Sequence, residues 1–210
     1  MEWTWRGLDF ADARAEVAGF VRLATSATGA VFWTYLVVPD RGVIVVRDHA
    51  VPVPRQGLEI RADGLWAELV CETPGEHWTF GLEAFGVALD DPLAAPLDSW
   101  GAEIGDRTAV GLDLEWEAQR SRQGVVHGEI LVARERIPFT GGGVLVAGEG
   151  AWPPADLSTS WCLGAGPDDA GPDDAQPVAA VRIPLDDGRA LIRTLVRGNG
   201  SVGWTTALTD

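Results

Sequence analysis

Lysine is missing from this chain: all 16 basic residues are arginine. With alanine and glycine so abundant, this reads as the coding bias of a GC-rich bacterium, and no mechanism is attached to it. Basic residues are also outnumbered by 31 acidic ones, for a formal net charge of −15. Nucleic acid and anionic membrane both recruit basic surface, so neither is expected as a partner. The three histidines are scattered, with no HxH or HExxH spacing, so no metal site is expected. A GxSxG nucleophile elbow is absent. Gly141-Gly142-Gly143 lies between extended runs with no helix after it, so it reads as a turn and not a phosphate loop. No cofactor is expected.

The only two cysteines, Cys71 and Cys162, lie far apart in sequence. Two buried free thiols are expected rather than a disulfide. The opening MEWTWRGLDF lacks a basic region followed by an apolar one, so no secretory leader is expected. No apolar run approaches the ~20 residues that span a bilayer. The expected setting is a reducing cytoplasm.

What the chain does have is alternation. Residues 64–91 read GLWAELVCETPGEHWTFGLEAFGVALDD, two extended runs around a Thr73-Pro74-Gly75-Glu76 turn. The first run puts Leu65, Ala67, Leu69 and Cys71 on one face and Trp66, Glu68, Val70 and Glu72 on the other. The second puts Trp78, Phe80, Leu82 and Ala84 opposite His77, Thr79, Gly81, Glu83 and Phe85. Period-two alternation about a Pro-Gly turn predicts a β-hairpin. The same pattern recurs along the chain. Residues 1–12 form an aromatic leader, and 13–25 read as a strand or, with Asp12 as a cap, a short helix. AVFWTYLVVPD and VIVVRDHAVPVP follow, and Leu58–Ala62 adds a short strand. Leu112, Leu114 and Trp116 then alternate with Asp113, Glu115 and Glu117. VVHGEILVARERIPF and GVLVAGEG come next, and a three-stranded meander closes the chain.

Glycine (26) and proline (13) punctuate these runs as turns. The Pro/Gly/Asp-rich stretch 91–106, which holds Trp100, reads as a long loop of the lid or binding type. GPDDAGPDDAQ, residues 166–176, is a five-residue duplication; its Asp pairs are adjacent rather than alternating, unlike calcium ligands, so a solvated loop is expected. At 210 residues, with 46% apolar, the chain fits one all-β domain over 1–210, with a subdivision near 91–106 left open. About a dozen strands predict an antiparallel architecture, either a lipocalin-like closed barrel or two packed sheets. A barrel of that size has room for a small ligand.

One stretch carries a family resemblance. Leu114-Glu115-Trp116-Glu117-Ala118 is followed by His127-Gly128-Glu129-Ile130-Leu131-Val132, then Ile137-Pro138-Phe139 and Gly141-Gly142-Gly143. This resembles the carotenoid 1,2-hydratase (hydroxyneurosporene synthase) group of lipocalin-like proteins. Val45-Val46-Arg47-Asp48-His49 and Trp78-Thr79-Phe80-Gly81-Leu82-Glu83-Ala84-Phe85 are similar to runs in bacterial relatives of that group. The resemblance spans roughly residues 30–145. It implies a lipocalin-like barrel and chemistry on large apolar molecules, namely hydration of a polyene or cyclisation of polyketide-like chains in natural-product biosynthesis. Where such proteins continue Arg-Asp-His-Ser-Trp-Gly, this chain has Val144-Leu145-Val146-Ala147-Gly148-Glu149, so that His and Asp have no counterpart.

Ten tryptophans, six phenylalanines and a few carboxylates on strand faces are left to carry chemistry. Aromatic faces stabilise cations, which suits a reaction through a carbocation. Glu83 is the first candidate acid: in an apolar lumen, burial would favour its proton-donating form. His127 and Glu129, two apart on one strand face, are the candidate pair facing it. Trp33, Tyr35, Trp66, Trp78, Phe80, Phe85, Trp100 and Trp116 are the candidate ligand-binding aromatics. The expected partner is a hydrophobic small molecule of isoprenoid or polyketide type, with a homodimer left open. Two function classes stand: a cofactor-independent cyclase or hydratase, and a non-catalytic binder of the same ligand. The missing export signal favours the enzyme; the missing His/Asp motif favours the binder.

Overall fold

The computed structural model describes residues 2–93, 105–150, 160–164, 174–184 and 189–209. Trp100, most of the 91–106 loop, residues 166–173 of the Asp-rich duplication and the Asp186-Asp187-Gly188 turn lie outside them. The described residues form fourteen antiparallel strands and no helix. No helix among them is long and apolar enough to cross a membrane.

The first ten strands are β1 (Trp3–Ala11), β2 (Ala18–Thr25), β3 (Ala30–Val38), β4 (Gly42–Val51), β5 (Glu59–Ala62), β6 (Leu65–Thr73), β7 (His77–Leu89), β8 (Gly105–Arg120), β9 (Gln123–Val132) and β10 (Glu135–Gly150). They make one sheet in the order β4-β3-β2-β1-β10-β9-β8-β7-β6-β5. A second pairing, Ile44↔Ala88 and Val45↔Val87, joins β4 to β7 and closes eight strands into a ring. The ring is an up-and-down barrel, the architecture that lipocalins share, and closure removes its edges. The β5–β6 hairpin is inserted between β4 and β7. It pairs with the first part of β7, where β4 does not reach, and its Ile60, Leu65, Ala67 and Leu69 join the barrel core.

The remaining strands, β11 (Ser160–Leu163), β12 (Gln176–Pro184), β13 (Ala190–Gly198) and β14 (Ser201–Thr209), form a second sheet ordered β11-β14-β13-β12. It packs on the outside of the barrel. Phe20, Trp33, Tyr35, Val43 and Val45 from β2, β3 and β4 meet Ile183, Leu191, Leu195, Val202 and Trp204. Strands β2 to β4 are thus covered on both faces, which is why AVFWTYLVV reads as an unbroken apolar run. The barrel and two-sheet alternatives are therefore both present: a closed ring, with a small sheet against one wall.

Several local readings change. The leader is the strand β1, paired with both β2 and β10. Asp12 caps no helix; its Oδ1 accepts from the backbone N–H of Arg14 and Glu16 in the tight β1–β2 turn. Gly141-Gly142-Gly143 is not a turn but the middle of β10. A side chain there has no space: a Cβ on Gly142 would lie 2.0 Å from the Cys162 carbonyl oxygen, and one on Gly141 2.2 Å from that of Ala11. The triplet lets β1 and β11 approach β10 closely. Both cysteines are free, as expected, but only Cys162 is buried. The alternation that put Cys71 inside breaks at a register shift between Cys71 and Thr73, and the thiol is exposed.

Between barrel and small sheet lies a buried polar cluster. Asp9 of β1 accepts from Arg22 of β2 at 2.5 Å, from Arg193 of β13 at 2.8 Å and from Ser160 of β11 at 2.5 Å. All four side chains are buried. Two guanidinium groups face one carboxylate, and the surplus positive charge meets other partners. Arg22 Nη1 donates to the carbonyls of Val21 and Leu8, while Arg193 lies 4.4 Å from the Phe20 ring centroid and 5.5 Å from that of Trp204. Burial alone would raise the Asp9 carboxyl. The charges of Arg193 and Arg22, with the hydrogen bonds from Arg193 and Ser160, outweigh it and hold the group far below the usual carboxylate range. Burial and the Asp9 charge push the neighbouring Cys162 thiol well up.

Removing the carboxylate leaves two buried cations unpaired, so Asp9→Asn should cost about 3–5 kcal/mol in urea denaturation. The depressed folded value means that the Asp9 contribution is complete above its unfolded value near 3.8 and drains away as pH falls below it. The acid limb of the stability curve should therefore be shallower in Asp9→Asn than in the wild type.

Candidate functional site

Alternation decides what each strand sends inward. Phe10, Phe32, Phe80, Leu114, Trp116, Ile130 and Phe139 fill the barrel. Phe10 and Phe139 meet edge to face at 5.2 Å, and Trp116 donates its Nε1 hydrogen to the Gly143 carbonyl at 3.3 Å. A gap of about 40 Å³ remains where Arg6, Gly7, Leu145 and Val146 face Leu69, Trp78 and Phe80. That holds a water or two, whereas ligand pockets run to about 300–1,000 Å³.

The outer wall of β5 to β10 is different. Gly81 on β7 and Gly111 on β8 carry no side chain, and the wall dips over them. The resulting trough has a volume of about 370 Å³ and is lined by Trp66, Leu82, Leu112, Leu131, Glu83, Asp113, Glu129 and Arg136. It continues into a shallower stretch of about 570 Å³ bounded by Arg61, Leu65, Phe85 and Ala109. Register explains the grouping. Trp66 pairs with Glu83 and Glu83 with Gly111; Gly81 pairs with Asp113 and Asp113 with Glu129. Each row runs across the strands on one face.

The walls of the trough are anchored. Trp66 Nε1 donates to Glu59 Oε1 at 3.0 Å, and Arg61 reaches the same oxygen at 2.8 Å through Nε. The hydrogen bond from Trp66, then that from Arg61, hold the Glu59 carboxyl below its ordinary range. The Trp66 ring lies over Gly81, where a Cβ would sit 2.8 Å from its Cη2. Arg136 pairs with Glu129 across β9 and β10. Arg107 covers one face of Phe85 at 4.8 Å, and Phe85 stays 56% exposed.

Further along the same face a second cluster forms. His77 of β7, Glu115 and Glu117 of β8 and His127 of β9 come together, because His77 pairs with Glu117 and His127 with Glu115. The Nε2 atoms of His77 and His127 each lie 3.4 Å from Glu115 Oε2.

The candidate residues therefore divide. Trp66, Glu83, Phe85 and Glu129 border the trough, and His127 belongs to the cluster beside it. Glu83 is exposed on the outer wall, not buried in a lumen beside Phe80 and Trp78. The reason is parity: Glu83 shares its face with Phe85 and Gly81, while Phe80 and Trp78 point the other way. The apolar burial on which its acid role relied is absent. Trp116 and Phe80 are core filling, and Trp78 sits at the gap beside them. Trp33 and Tyr35 lie between the barrel and the small sheet. Trp100 lies outside the described residues. The sequence reading missed Asp113, Leu131, Arg136 and the two glycines as lining. Gly81 and Gly111 on outward positions of alternating strands were the available signal.

No family model matches this chain, and comparison with curated proteins and with solved structures also returns no match.

Two variants separate wall from core. Phe80→Ala should destabilise the fold by about 3–5 kcal/mol, as expected for a core aromatic, and Glu83→Gln should stay within about 0.5 kcal/mol, both by urea denaturation. Gly81→Ala should displace the Trp66 ring and shift its emission, read as the difference from Trp66→Phe, with the melting temperature little changed.

Proposed function

We propose that this protein binds a hydrophobic small molecule with a polar end, and that it does so in the outer trough over Gly81 and Gly111 rather than in the barrel lumen. The observation that carries this is the contrast in space: about 370 Å³ in the trough against about 40 Å³ in the gap beside Trp78 and Phe80. The lining suits such a ligand. Trp66, Leu131 and Phe85 offer apolar contact to an extended body, and Glu83 and Asp113 offer acceptors to hydroxyl or amine hydrogens. The resemblance to carotenoid hydratases points to the same kind of molecule, an isoprenoid or polyketide chain.

Binding without turnover is the reading that the geometry supports best. Hydration or cyclisation needs an acid shielded from water, and the trough carboxylates are open to solvent or, for Glu129, committed to Arg136. A catalytic variant of the reading rests on Glu83, which lines both stretches of the trough.

A fluorescent polyene alcohol titrated into the protein should gain emission with micromolar affinity. Trp66→Ala should weaken it about tenfold or more, while Phe10→Leu, deep in the barrel, leaves it unchanged. Binding that follows the barrel variant and ignores Trp66 would refute the trough. Conversion of the polyene that stops in Glu83→Gln would replace the binder reading with the enzyme.

A further inference from the structure

The four-residue cluster on β7 to β9 is placed for a ligand of its own. Its donors come from three strands: His77, Glu115 and Glu117, and His127. Ligand atoms of Glu115, Glu117 and His127 all lie within 4.8 Å of one another. Both imidazole Nε2 atoms lie 3.4 Å from Glu115 Oε2. That is longer than the 2.7–3.2 Å of a good N–H···O hydrogen bond. The His127–Glu115 spacing matches the edge of a tetrahedron around a metal with bonds of about 2.0–2.2 Å, whose ligand atoms stand roughly 3.3–3.6 Å apart. The His77 Nε2 is itself shut off from water and makes no hydrogen bond, although a carboxylate oxygen is this near.

We propose that this cluster is a binding site for a divalent transition metal of the zinc type. His127, Glu115 and Glu117 are the direct ligands, and His77 steadies the Glu115 carboxylate from the other side. Imidazole with carboxylate selects zinc, cobalt or nickel over magnesium and calcium, which take oxygen ligands. Three protein ligands on an exposed face leave a fourth position for water. The cluster shares the outer face with the trough. Glu115 and His127 are two residues along their strands from Asp113 and Glu129, roughly 7 Å at strand spacing. The open position could therefore take an oxygen of a molecule lying there. The metal site does not depend on that: it stands on its own ligands.

Competition with a chromophoric zinc chelator tests it on the full chain with the metal alone. One zinc should bind per chain at pH 7.5 with a dissociation constant below about 10 µM, and 10 mM calcium should not displace it. Cobalt should give the intense visible absorption of four-coordinate geometry. His127→Gln and Glu115→Gln should each weaken binding at least a hundredfold. His77→Ala should weaken it about tenfold, the usual effect of a group that orients a ligand. Glu16→Gln and Glu135→Gln, exposed carboxylates outside both the cluster and the trough, should leave zinc binding unchanged. Circular dichroism of each variant reports that it is folded. No saturable zinc binding by the wild type would overturn the proposal, as would displacement by calcium or an affinity indifferent to His127→Gln. The trough is tested separately, since its polyene titration is run without metal.

Discussion

The Asp9 carboxylate joins every layer of this molecule. It sits on β1, which pairs with both β2 and β10, and it is gripped by Arg22 from the next barrel strand and by Arg193 and Ser160 from the small sheet. A buried ion pair contributes little net stability when compared with apolar filling, because desolvation offsets the attraction. Its consequence here is specificity of assembly. Two buried guanidinium groups tolerate only an arrangement that brings one carboxylate between them. The small sheet is therefore held in one register against the barrel, with Arg193 stacked on Phe20 and Trp204.

That docking divides the barrel wall into two halves with different fates. Strands β2 to β4 are covered on both sides, inside by the barrel core and outside by the small sheet. Their outward aromatics, Trp33 and Tyr35, are packing residues for that reason alone. Among the described residues, no second layer covers the outer face of β6 to β9, and acidic and histidine side chains gather there. Among the described residues, the interior is apolar and aromatic-rich. On the outer wall, Gly81 and Gly111 open a trough, and the alternation of β8 lines up Asp113, Glu115 and Glu117 beside it.

Charge follows the same division. The chain carries −15 overall, yet its most buried polar cluster has two arginines to one carboxylate. The acidic surplus belongs to the surface, where it presents carboxylate oxygens to solvent. Two histidines among those oxygens, His77 and His127, change what the surface can hold.

Much of the architecture was legible in one dimension. Period-two alternation, with turns at Asp40-Arg41-Gly42, Asp63-Gly64 and Thr73-Pro74-Gly75-Glu76, set the antiparallel β class and the central hairpin, because side-chain direction in a strand is a local property. Alternation even placed Phe80 and Glu83 on opposite faces. It could not say which face was the lumen, and β7 is apolar enough on both to allow either. Strand closure through Ile44 and Val45, the place of the Gly141-Gly142-Gly143 triplet inside β10 and the meeting of Asp9 with Arg193, 184 residues away, depended on contacts between distant segments. So did the trough and the His77–Glu115–His127 cluster. His77 and Glu115 read as unremarkable outward positions and His127 as half of a different pair, with Glu129; only the register of three neighbouring strands brings the cluster within reach. Local sequence sets which way each side chain points; pairing across the sheet sets what it meets.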